Sequence, residues 1–387
     1  MKRLRVGVIY GGRSGEHEVS VASAASILKH LDRERYEPVA IRIDKDGRWQ
    51  LPDRTPTAVS ASEVLEQART LTSRAGRHDR ETLMLARPGE DVLLTIEHGT
   101  APGGDAPNGA VVHALGLDVM FPVLHGPYGE DGTVQGLLEL ANIPYVGPSV
   151  LGAAVGMDKG VMKTLFAARG LPQAKYLVIL KREWETSPDV VRDRVVQTLG
   201  LPVFVKPANL GSSVGISKAH TEAELGPAIE LAASFDRKIV IEQAVPEARE
   251  IECAVLGNDD PIASVPGEIV PAHEFYDYNA KYLDSSSNLL IPAPLTDAQR
   301  AKIQHLSLEA YRAVEGAGMA RVDFLMDRKR GKIFLNEVNT IPGFTTVSMY
   351  PKLWEATGLS YPALLDRLIA LALERHAEKQ QLRTSIT

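Results

Sequence analysis

The chain has 387 residues, too many for one compact core, so two or three domains are expected. Its formal net charge of -6, without any long Lys or Arg run, argues against a nucleic-acid-binding surface. The single cysteine, Cys253, excludes an internal disulfide, and no apolar stretch approaches the length of a membrane span. These features predict a cytoplasmic protein that acts without nucleic acid or membrane.

The N-terminal part of the chain has the pattern of a β-α-β unit. An apolar strand is predicted at 5–10, helical spacing follows over 19–31, and a second strand is predicted at 38–43. This start favours a parallel sheet. Residues 51–108 are mixed and interrupted by Pro and Gly, so we interpret them as an insertion of uncertain order.

The sheet pattern returns further along the chain. A buried strand is predicted at 119–124, a helix at 133–141 and a short apolar segment at 143–146. Gly147-Pro148-Ser149 is the predicted domain boundary.

The middle of the chain alternates helix and strand. A helix is predicted from Met157 to about Arg169, because Gly170 and Pro172 end it. Strands are then predicted at 202–207 and 238–242, and we expect them to pair.

The last section contains a long loop at 271–294, a helix at 297–317, a hairpin and a C-terminal helix. The hairpin strands, 321–326 and 334–339, are the clearest candidate for chemistry. The pleat groups their side chains by face, with Arg321, Asp323 and Leu325 on one strand and Leu335, Glu337 and Asn339 on the other. Asp323 should therefore lie opposite or diagonal to Glu337. Two carboxylates and an amide oxygen suit Mg²⁺ that carries phosphates; the alternative is a solvent-facing polar stripe.

A glycine-rich loop follows a lysine at a strand end. Lys206 precedes Gly211-Ser-Ser-Val-Gly215, whose backbone N–H groups could approach phosphate oxygens. No Gly-Lys-Ser/Thr follows, so this is not a Walker A loop, and an ordinary hairpin loop is the alternative. Lys159 opens a helix and could add a phosphate contact, or it could be a solvated surface charge.

Two further loops follow predicted strands. Residues 11–20 open a helix whose N-terminus favours an anion, but they lack the G-x-G-x-x-G spacing of a dinucleotide site. His125 begins the loop 125–132, at the end of a strand where α/β proteins place ligands. A purely structural histidine is the alternative.

Other candidates are individually weaker. Glu242 could accept from an adenine amino group with Glu250 on a ribose, or both could be surface carboxylates. The tyrosine-rich segment 275–282 could form the edge of a lid or an ordinary surface loop. Backbone N–H groups in 342–348 could cradle an oxyanion.

In combination and in this order, these motifs resemble the ATP-grasp fold and, more narrowly, the D-alanine–D-alanine ligase family. The resemblance covers nearly the whole chain and fails mainly in the insertion 51–108, so it indicates a longer form of the family. The implied fold class is α/β and α+β. A Rossmann-like parallel-sheet domain (1–148) would precede the two ATP-grasp lobes, 149–249 and 250–387.

The resemblance also implies a role for each matching position. Two Mg²⁺ or Mn²⁺ ions would be held by Asp323, Glu337 and Asn339. ATP would be contacted by Lys159, Lys206, Ser212, Ser213, Glu242, Glu250 and Lys281. The remaining roles are substrate binding by Glu16, His125 and Ser348, closure of the site by Glu16, Ser212 and Tyr282, and stabilisation of the tetrahedral intermediate by Arg321 and the Gly343 amide.

The implied function is ATP-dependent formation of D-alanyl-D-alanine for peptidoglycan synthesis, by a homodimer. Lys281-Tyr282 favours the dipeptide over a D-lactate ester. The alternatives are a D-alanine–D-lactate or D-alanine–D-serine ligase, another ATP-grasp carboxylate–amine ligase, a non-enzymatic ATP-binding regulator, and an NAD-dependent oxidoreductase.

Overall fold

The structure, a computed structural model, describes residues 2–58, 60–71, 80–89, 93–98, 110–270 and 288–383. The helices in these residues are α1 (His17–His30), α2 (Ala61–Leu71), α3 (Thr133–Leu140), α4 (Val150–Met157), α5 (Lys159–Ala168), α6 (Lys181–Thr186), α7 (Pro188–Leu199), α8 (Glu222–Phe235), α9 (Asp297–Ala313), α10 (Met349–Ala356) and α11 (Tyr361–Gln380).

The strands in the same residues are β1 (Leu4–Gly11), β2 (Tyr36–Ile43), β3 (Trp49–Leu51), β4 (Arg80–Met84), β5 (Leu93–His98), β6 (Ala110–Leu115), β7 (Val119–Pro122), β8 (Tyr176–Leu180), β9 (Val203–Pro207), β10 (Ser217–Ala219), β11 (Lys238–Gln243), β12 (Ala248–Gly257), β13 (Ile262–Ala263), β14 (Gly267–Val270), β15 (Asn288–Leu290), β16 (Gly318–Asp327) and β17 (Ile333–Asn339).

The chain divides into two compact units. The first unit comprises Met1–Gly147, Gly343–Pro351 and Leu359–Thr387, and the second comprises Pro148–Pro342 and Lys352–Gly358. The sequence-based division assigned all of 250–387 to one lobe, whereas two C-terminal segments belong to the first unit. The division of the second unit into two lobes stays a prediction.

The first unit is built on a sheet with the strand order β6-β5-β4-β3-β2-β1-β7. The central strand β1 pairs in parallel with β2 and β7, as the β-α-β pattern predicts. Val6, Val8 and Ile9 are fully buried, which is typical of a parallel strand covered on both faces. The expected parallel sheet and mixed α/β class are confirmed.

The described parts of the insertion are more regular than the sequence indicates. β3, β4, β5 and β6 continue the sheet as antiparallel neighbours beyond β2. In β4 only the central Thr82 is buried, so the strand has no apolar alternation for a sequence pattern to reveal.

The second unit contains two sheets. The smaller one has the order β10-β9-β11-β8, and the predicted pairing of β9 with β11 is confirmed as antiparallel. Helices α6, α7 and α8 contribute to its apolar core through Trp184, Val191, Val195, Leu225 and Ile229. The larger sheet has the order β15-β14-β12-β16-β17, with β13 paired to β12. Residues of α5 and α9, among them Met162, Phe166, Ile303 and Tyr311, share its apolar core.

The predicted hairpin is the pair β16–β17, and Asp323 lies directly opposite Glu337. The register then shifts, because Phe324 pairs with Leu335 and leaves Asn336 without a cross-strand partner. The irregularity is of the β-bulge kind. It turns Leu335 into the apolar core, so the prediction that Leu335 shares a face with Glu337 is wrong.

Two other local predictions need adjustment. Helix α9 ends at Ala313 rather than near 317. A separate helix, α4, precedes the predicted one, which begins at Lys159. No single helix in the described residues is both long and apolar enough to cross a membrane; α10 and α11 reach that length and composition only as a bent pair.

Candidate active site

One face of the larger sheet in the second unit carries a group of polar side chains, which we call the polar face: Glu252 on β12, Arg321 and Asp323 on β16, and Glu337 and Asn339 on β17. The opposite face of the same strands is apolar, with Val322, Phe324 and Val338 in the core. The pleat separates the two sets, and the register brings Glu252, Asp323 and Glu337 side by side on adjacent strands.

Arg321 is held on both sides by carboxylates. Its Nε and one terminal nitrogen each donate to Asp323 at 2.7 Å, which is a bidentate pair. Its Nε also lies 3.0 Å from Oε2 of Glu252. Asn339 donates from Nδ2 to Asp323 at 2.9 Å. This arrangement fixes the guanidinium beside the two predicted metal-binding residues Asp323 and Asn339.

Helix α5 supplies two lysines to this region of the second unit. Asp158 caps the helix by accepting from the Val161 N–H at 3.0 Å, and it pairs with Lys238 at 2.5 Å. Burial raises the pKa of the Asp158 carboxyl, but Lys238 and the Val161 N–H outweigh burial and lower it. The cap therefore stays charged and fixes the start of the helix, and with it Lys159.

Lys159 connects the polar face to the glycine-rich loop. Its ammonium lies 3.5 Å from Oε2 of Glu337 and donates to the Leu210 carbonyl at 2.9 Å. The side chain is largely buried, so the alternative of a solvated surface lysine is excluded.

The second lysine, Lys163, belongs to a group that we call the buried ion cluster: Lys163, Glu242, Lys206 and Asn336. Lys163 lies 3.1 Å from one oxygen of Glu242, and Lys206 lies 3.1 Å from the other. Lys206 also donates to Asn336 Oδ1 at 3.4 Å. Glu242 is therefore a buried residue that pairs with two lysines. The alternative, that Glu242 is a surface carboxylate, is excluded.

The charges in this cluster depend on one another. Burial raises the pKa of Glu242, but Lys163 and Lys206 outweigh it and hold the pKa below its ordinary value. Burial lowers the pKa of Lys163, and Glu242 opposes that shift. An ionised carboxylate between two ammonium groups leaves the cluster with one net positive charge.

The glycine-rich loop lies between β9 and β10. Ser212 and Ser213 have φ of 49° and 60°, in the left-handed region that side chains rarely adopt. At Gly215, φ is 72° and an added Cβ would lie 2.6 Å from the Phe235 ring, so only glycine fits. Unusual backbone of this kind is found at ligand-binding loops.

The first unit brings two of the predicted substrate-binding loops together. Ser14 donates to the His125 carbonyl at 2.7 Å and accepts from the Glu16 N–H at 3.2 Å. An added Cβ at Gly126 would lie 2.9 Å from Oε2 of Glu16. Glu16 and His125 are both buried, so these loops form a compact polar group and not a solvent-facing surface.

The segment that follows the hairpin contributes to the first unit. The Phe344 N–H donates to Ser23 on α1 at 3.1 Å, and Tyr361 donates to the Phe344 carbonyl at 2.6 Å. These contacts fix Gly343 near Ser348, since an added Cβ at Gly343 would lie 2.9 Å from Ser348 Oγ. The two predicted site residues of this segment are therefore neighbours.

Of the three remaining predicted residues, Glu250 is the one that the structure describes. Glu250 lies on β12 opposite Leu325, on the same side of the strand as Glu252 and partly exposed. Lys281 and Tyr282 lie outside the described residues, as does the rest of the predicted lid segment 275–282.

The donor set on the polar face fits a hard divalent cation. Asp323 and Glu337 supply carboxylate oxygens next to the amide of Asn339, and Mg²⁺ is usually bound by one or two carboxylates together with substrate phosphates. In the described part of the chain no group of three or more His, Cys, Asp or Glu side chains is arranged to hold a metal. Substrate phosphates and water are the usual remaining ligands of Mg²⁺ bound in this way.

Comparisons with known proteins agree with this arrangement. Residues 5–148 match the family model described as D-ala D-ala ligase N-terminus, and residues 165–370 match D-ala D-ala ligase C-terminus. The D-alanine--D-alanine ligase of Heliobacterium modesticaldum is 50% identical over 381 residues, which is 98% of each chain.

Solved structures give the same result. The D-alanine-D-alanine ligase from Coxiella burnetii has 36% identity and a TM-score of 0.79 over 98% of this chain and 97% of its own. The VanG D-Ala:D-Ser ligase from Enterococcus faecalis has 32% identity and a TM-score of 0.79, over 96% of this chain and 100% of its own. The fold is thus of the ATP-grasp class. Within that class the chain belongs to the D-alanine–D-alanine ligase family, which confirms the predicted resemblance.

Sequence reasoning missed four residues of these groups. Lys163 follows Lys159 by four positions on α5, and Glu252 follows Glu250 by two on β12, so helical and strand periodicity could have indicated both. Ser14 lies within the predicted loop but was not singled out. Asn336 gives no such signal, because only the register shift turns it towards Lys206.

Proposed function

We propose that the protein joins two molecules of D-alanine with ATP to form D-alanyl-D-alanine, for peptidoglycan precursor synthesis. The family membership supports ATP-dependent ligation of D-alanine. The observation that carries the proposal is the polar face, where Asp323 and Glu337 lie opposite each other with Arg321 and Lys159 in contact. This pattern of paired carboxylates beside fixed cations suits phosphoryl transfer.

The reaction has two steps. A carboxylate oxygen of the first D-alanine attacks the γ-phosphorus of ATP, the bond to the bridging oxygen breaks, and ADP leaves with that electron pair. The product is D-alanyl phosphate. The amine of the second D-alanine then attacks the acyl carbon, loses a proton, and expels inorganic phosphate as the peptide bond forms.

In the second unit, Asp323, Glu337 and Asn339 would hold two Mg²⁺ or Mn²⁺ ions, which neutralise charge on the phosphates. Lys159, Lys206 and Lys281 would contact the phosphates, and Ser212 and Ser213 would form part of a loop over them. Glu242 and Glu250 would contact adenosine. Arg321 stabilises the oxyanion of the tetrahedral intermediate, for which its fixed position beside Asp323 prepares it.

In the first unit, Glu16 would bind the ammonium of the first D-alanine, and His125 would lie near its carboxylate. Ser348 would bind the carboxylate of the second D-alanine, and the Gly343 N–H would donate to the intermediate. The support is that Glu16 and His125 belong to one buried group and that Gly343 adjoins Ser348. The linkage of Glu16 with Ser212 and Tyr282 stays a prediction.

The test is phosphate release from Mg-ATP with D-alanine, compared with L-alanine and with no amino acid, with the product identified by mass. Release only with D-alanine, together with the dipeptide mass, is the expected result. If phosphate is not released with D-alanine, the proposed substrate is wrong.

A second candidate differs only in the second substrate. One structural neighbour is named a D-Ala:D-Ser ligase, so the fold alone does not select D-alanine as the nucleophile. Lys281-Tyr282 favours the dipeptide product. Competition of D-alanine with equal D-serine or D-lactate, with the products separated by mass, decides between them. A dominant mixed product would favour the second candidate.

We also propose a cytoplasmic homodimer. The resemblance to the family supports the dimer, and the substrate ATP and the single buried cysteine suit a reducing compartment. Light scattering coupled to gel filtration measures the mass directly; about twice the 42.0 kDa chain mass is expected. Cell fractionation checks the location.

A further inference from the structure

The proposed function uses Lys206 and Glu242 of the buried ion cluster but gives no role to Lys163, the most deeply buried member. Its side chain is 1% exposed, and its ammonium lies 3.1 Å from Glu242 Oε2 and 5.6 Å from the centre of the Tyr176 ring. Burying an ammonium has a large desolvation cost, and an apolar residue of similar size is often as stable or more so. Stability alone therefore explains Lys163 poorly.

The geometry around Glu242 indicates what Lys163 does instead. The carboxylate uses Oε2 for Lys163 and Oε1 for Lys206, so each oxygen has its own ammonium. With two ammonium groups and one carboxylate, the cluster keeps one net positive charge. Without Lys163, Glu242 and Lys206 would form a neutral pair, and both carboxylate oxygens would be available to the one lysine.

We propose that Lys163 is a positioning residue for ATP: it engages Glu242 so that Lys206 keeps its place beside Asn336 and its charge remains available to the nucleotide phosphates. The proposal rests on the proposed function, because it assumes that Lys206 contacts those phosphates. Lys163 itself need not touch ATP. Its effect passes through Glu242.

Charge-changing variants separate this role from a structural one. Lys163→Met makes the net charge of the cluster zero, and we expect about 10-fold weaker binding of a Mg-bound non-hydrolysable ATP analogue, from the loss of one unit charge near the phosphates. Lys163→Met combined with Glu242→Gln returns the net charge to one, and it should bind the analogue as tightly as Glu242→Gln alone, because the effect of Lys163 passes through Glu242. If Lys163 were merely structural, the losses of affinity caused by the two substitutions would add.

The matched control is Lys238→Met, which breaks another lysine–carboxylate pair of the second unit, with Asp158. Glu242→Gln should not reverse any effect of that change. If Lys163→Met alone does not fold, Glu242→Gln is compared with the double variant, and the two should bind the analogue equally tightly.

Binding is measured by calorimetry without D-alanine, so the two proposals fail in different ways. If the unaltered protein binds the analogue but makes no dipeptide, the proposed function fails and Lys163 can still be tested. If the dipeptide forms and the double variant binds the analogue about 10-fold more weakly than Glu242→Gln alone, the role of Lys163 is overturned.

Discussion

Glu337 lies directly opposite Asp323 across the β16–β17 hairpin, and its carboxylate also lies 3.5 Å from the ammonium of Lys159. Asp323 is correspondingly paired with Arg321. Each carboxylate therefore already has a protein cation beside it. When a substrate with phosphates binds together with metal ions, the protein cations can pair with the phosphates and the carboxylates with the metal ions.

The first prediction concerns this pair. Glu337→Gln keeps the size of the side chain and removes its charge, so we expect ligase turnover to fall by roughly 100-fold or more, the scale typical of losing one electrostatic group at a catalytic site. Steady-state phosphate release measures the loss, and circular dichroism confirms the fold. Glu230→Gln, on the exposed surface of α8, serves as the control and should leave turnover unchanged. Near-normal turnover of Glu337→Gln would contradict the metal assignment.

The second prediction concerns Glu252, whose carboxylate lies 3.0 Å from Arg321. Glu252→Gln should leave Arg321 less firmly placed, so we expect kcat to fall by about 10- to 100-fold, the range found for groups that orient a functional residue. The KM for ATP should change much less, since Arg321 is proposed to act on the tetrahedral intermediate.

Glu268→Gln is the matched control for this change. Glu268 is also buried and forms a bidentate pair with an arginine, Arg249, in the same sheet, but it lies outside the polar face. Its loss should lower the free energy of unfolding without a comparable effect on kcat. Equal losses of kcat in both variants would show that breaking any buried ion pair in this sheet is enough to lower kcat.

The hairpin shows how far sequence could predict the site. The short turn and the period of two residues place Asp323 near Glu337, but a regular register continued from the turn would pair Asp323 with Asn336, and only the bulge brings Asp323 directly opposite Glu337. The position of Leu335 was predicted wrongly, because one irregular residue reverses the side of every position beyond it. The contact between Asn336 and Lys206 depends on that same residue and so could not be predicted.

The buried ion cluster shows a second limit. Lys163, Glu242 and Asn336 are brought together from a helix and two strands that are distant in sequence. Helical periodicity places Lys163 on the same face of α5 as Lys159, but no local feature shows that Glu242 packs against it. By contrast, the parallel sheet of the first unit was predictable, since β1 and β7 are buried on both faces and therefore read as continuous apolar runs.

The third prediction concerns Gly126, which has φ of 73° and lies against Glu16. An alanine there should cost about 1–2 kcal/mol in the free energy of unfolding from its backbone conformation. Its methyl group would also displace the Glu16 carboxylate, so we expect a higher KM for the first D-alanine. Denaturant unfolding and steady-state kinetics measure the two effects.

Gly200→Ala is the control that separates the effect on stability from the effect on the KM for D-alanine. Gly200 has φ of 69° and no heavy atom within 4 Å of an added Cβ, so the variant should show the loss of stability alone. If Gly126→Ala leaves the KM for D-alanine as low as Gly200→Ala does, Glu16 does not bind that substrate.

The last prediction concerns Cys253, which is completely buried in the core of the larger sheet. Burial raises the pKa of its thiol from the ordinary value of 9.0 to about 11. The native protein should therefore not react with Ellman's reagent at pH 8, whereas the unfolded protein should react with one thiol per chain. Cys253→Ala should keep ligase activity, because the proposed reaction needs no protein nucleophile.

The same burial makes stability depend on pH. Between pH 9 and about 11 the unfolded thiol loses its proton while the folded thiol keeps it, so the unfolded state binds fewer protons and the free energy of unfolding falls as the pH rises. The loss should reach about 2–3 kcal/mol near pH 11. Other groups titrate in this range, so the measured quantity is the difference between the unaltered protein and Cys253→Ala. A difference that stays constant from pH 8 to 11 would show that Cys253 is accessible to solvent in the folded protein.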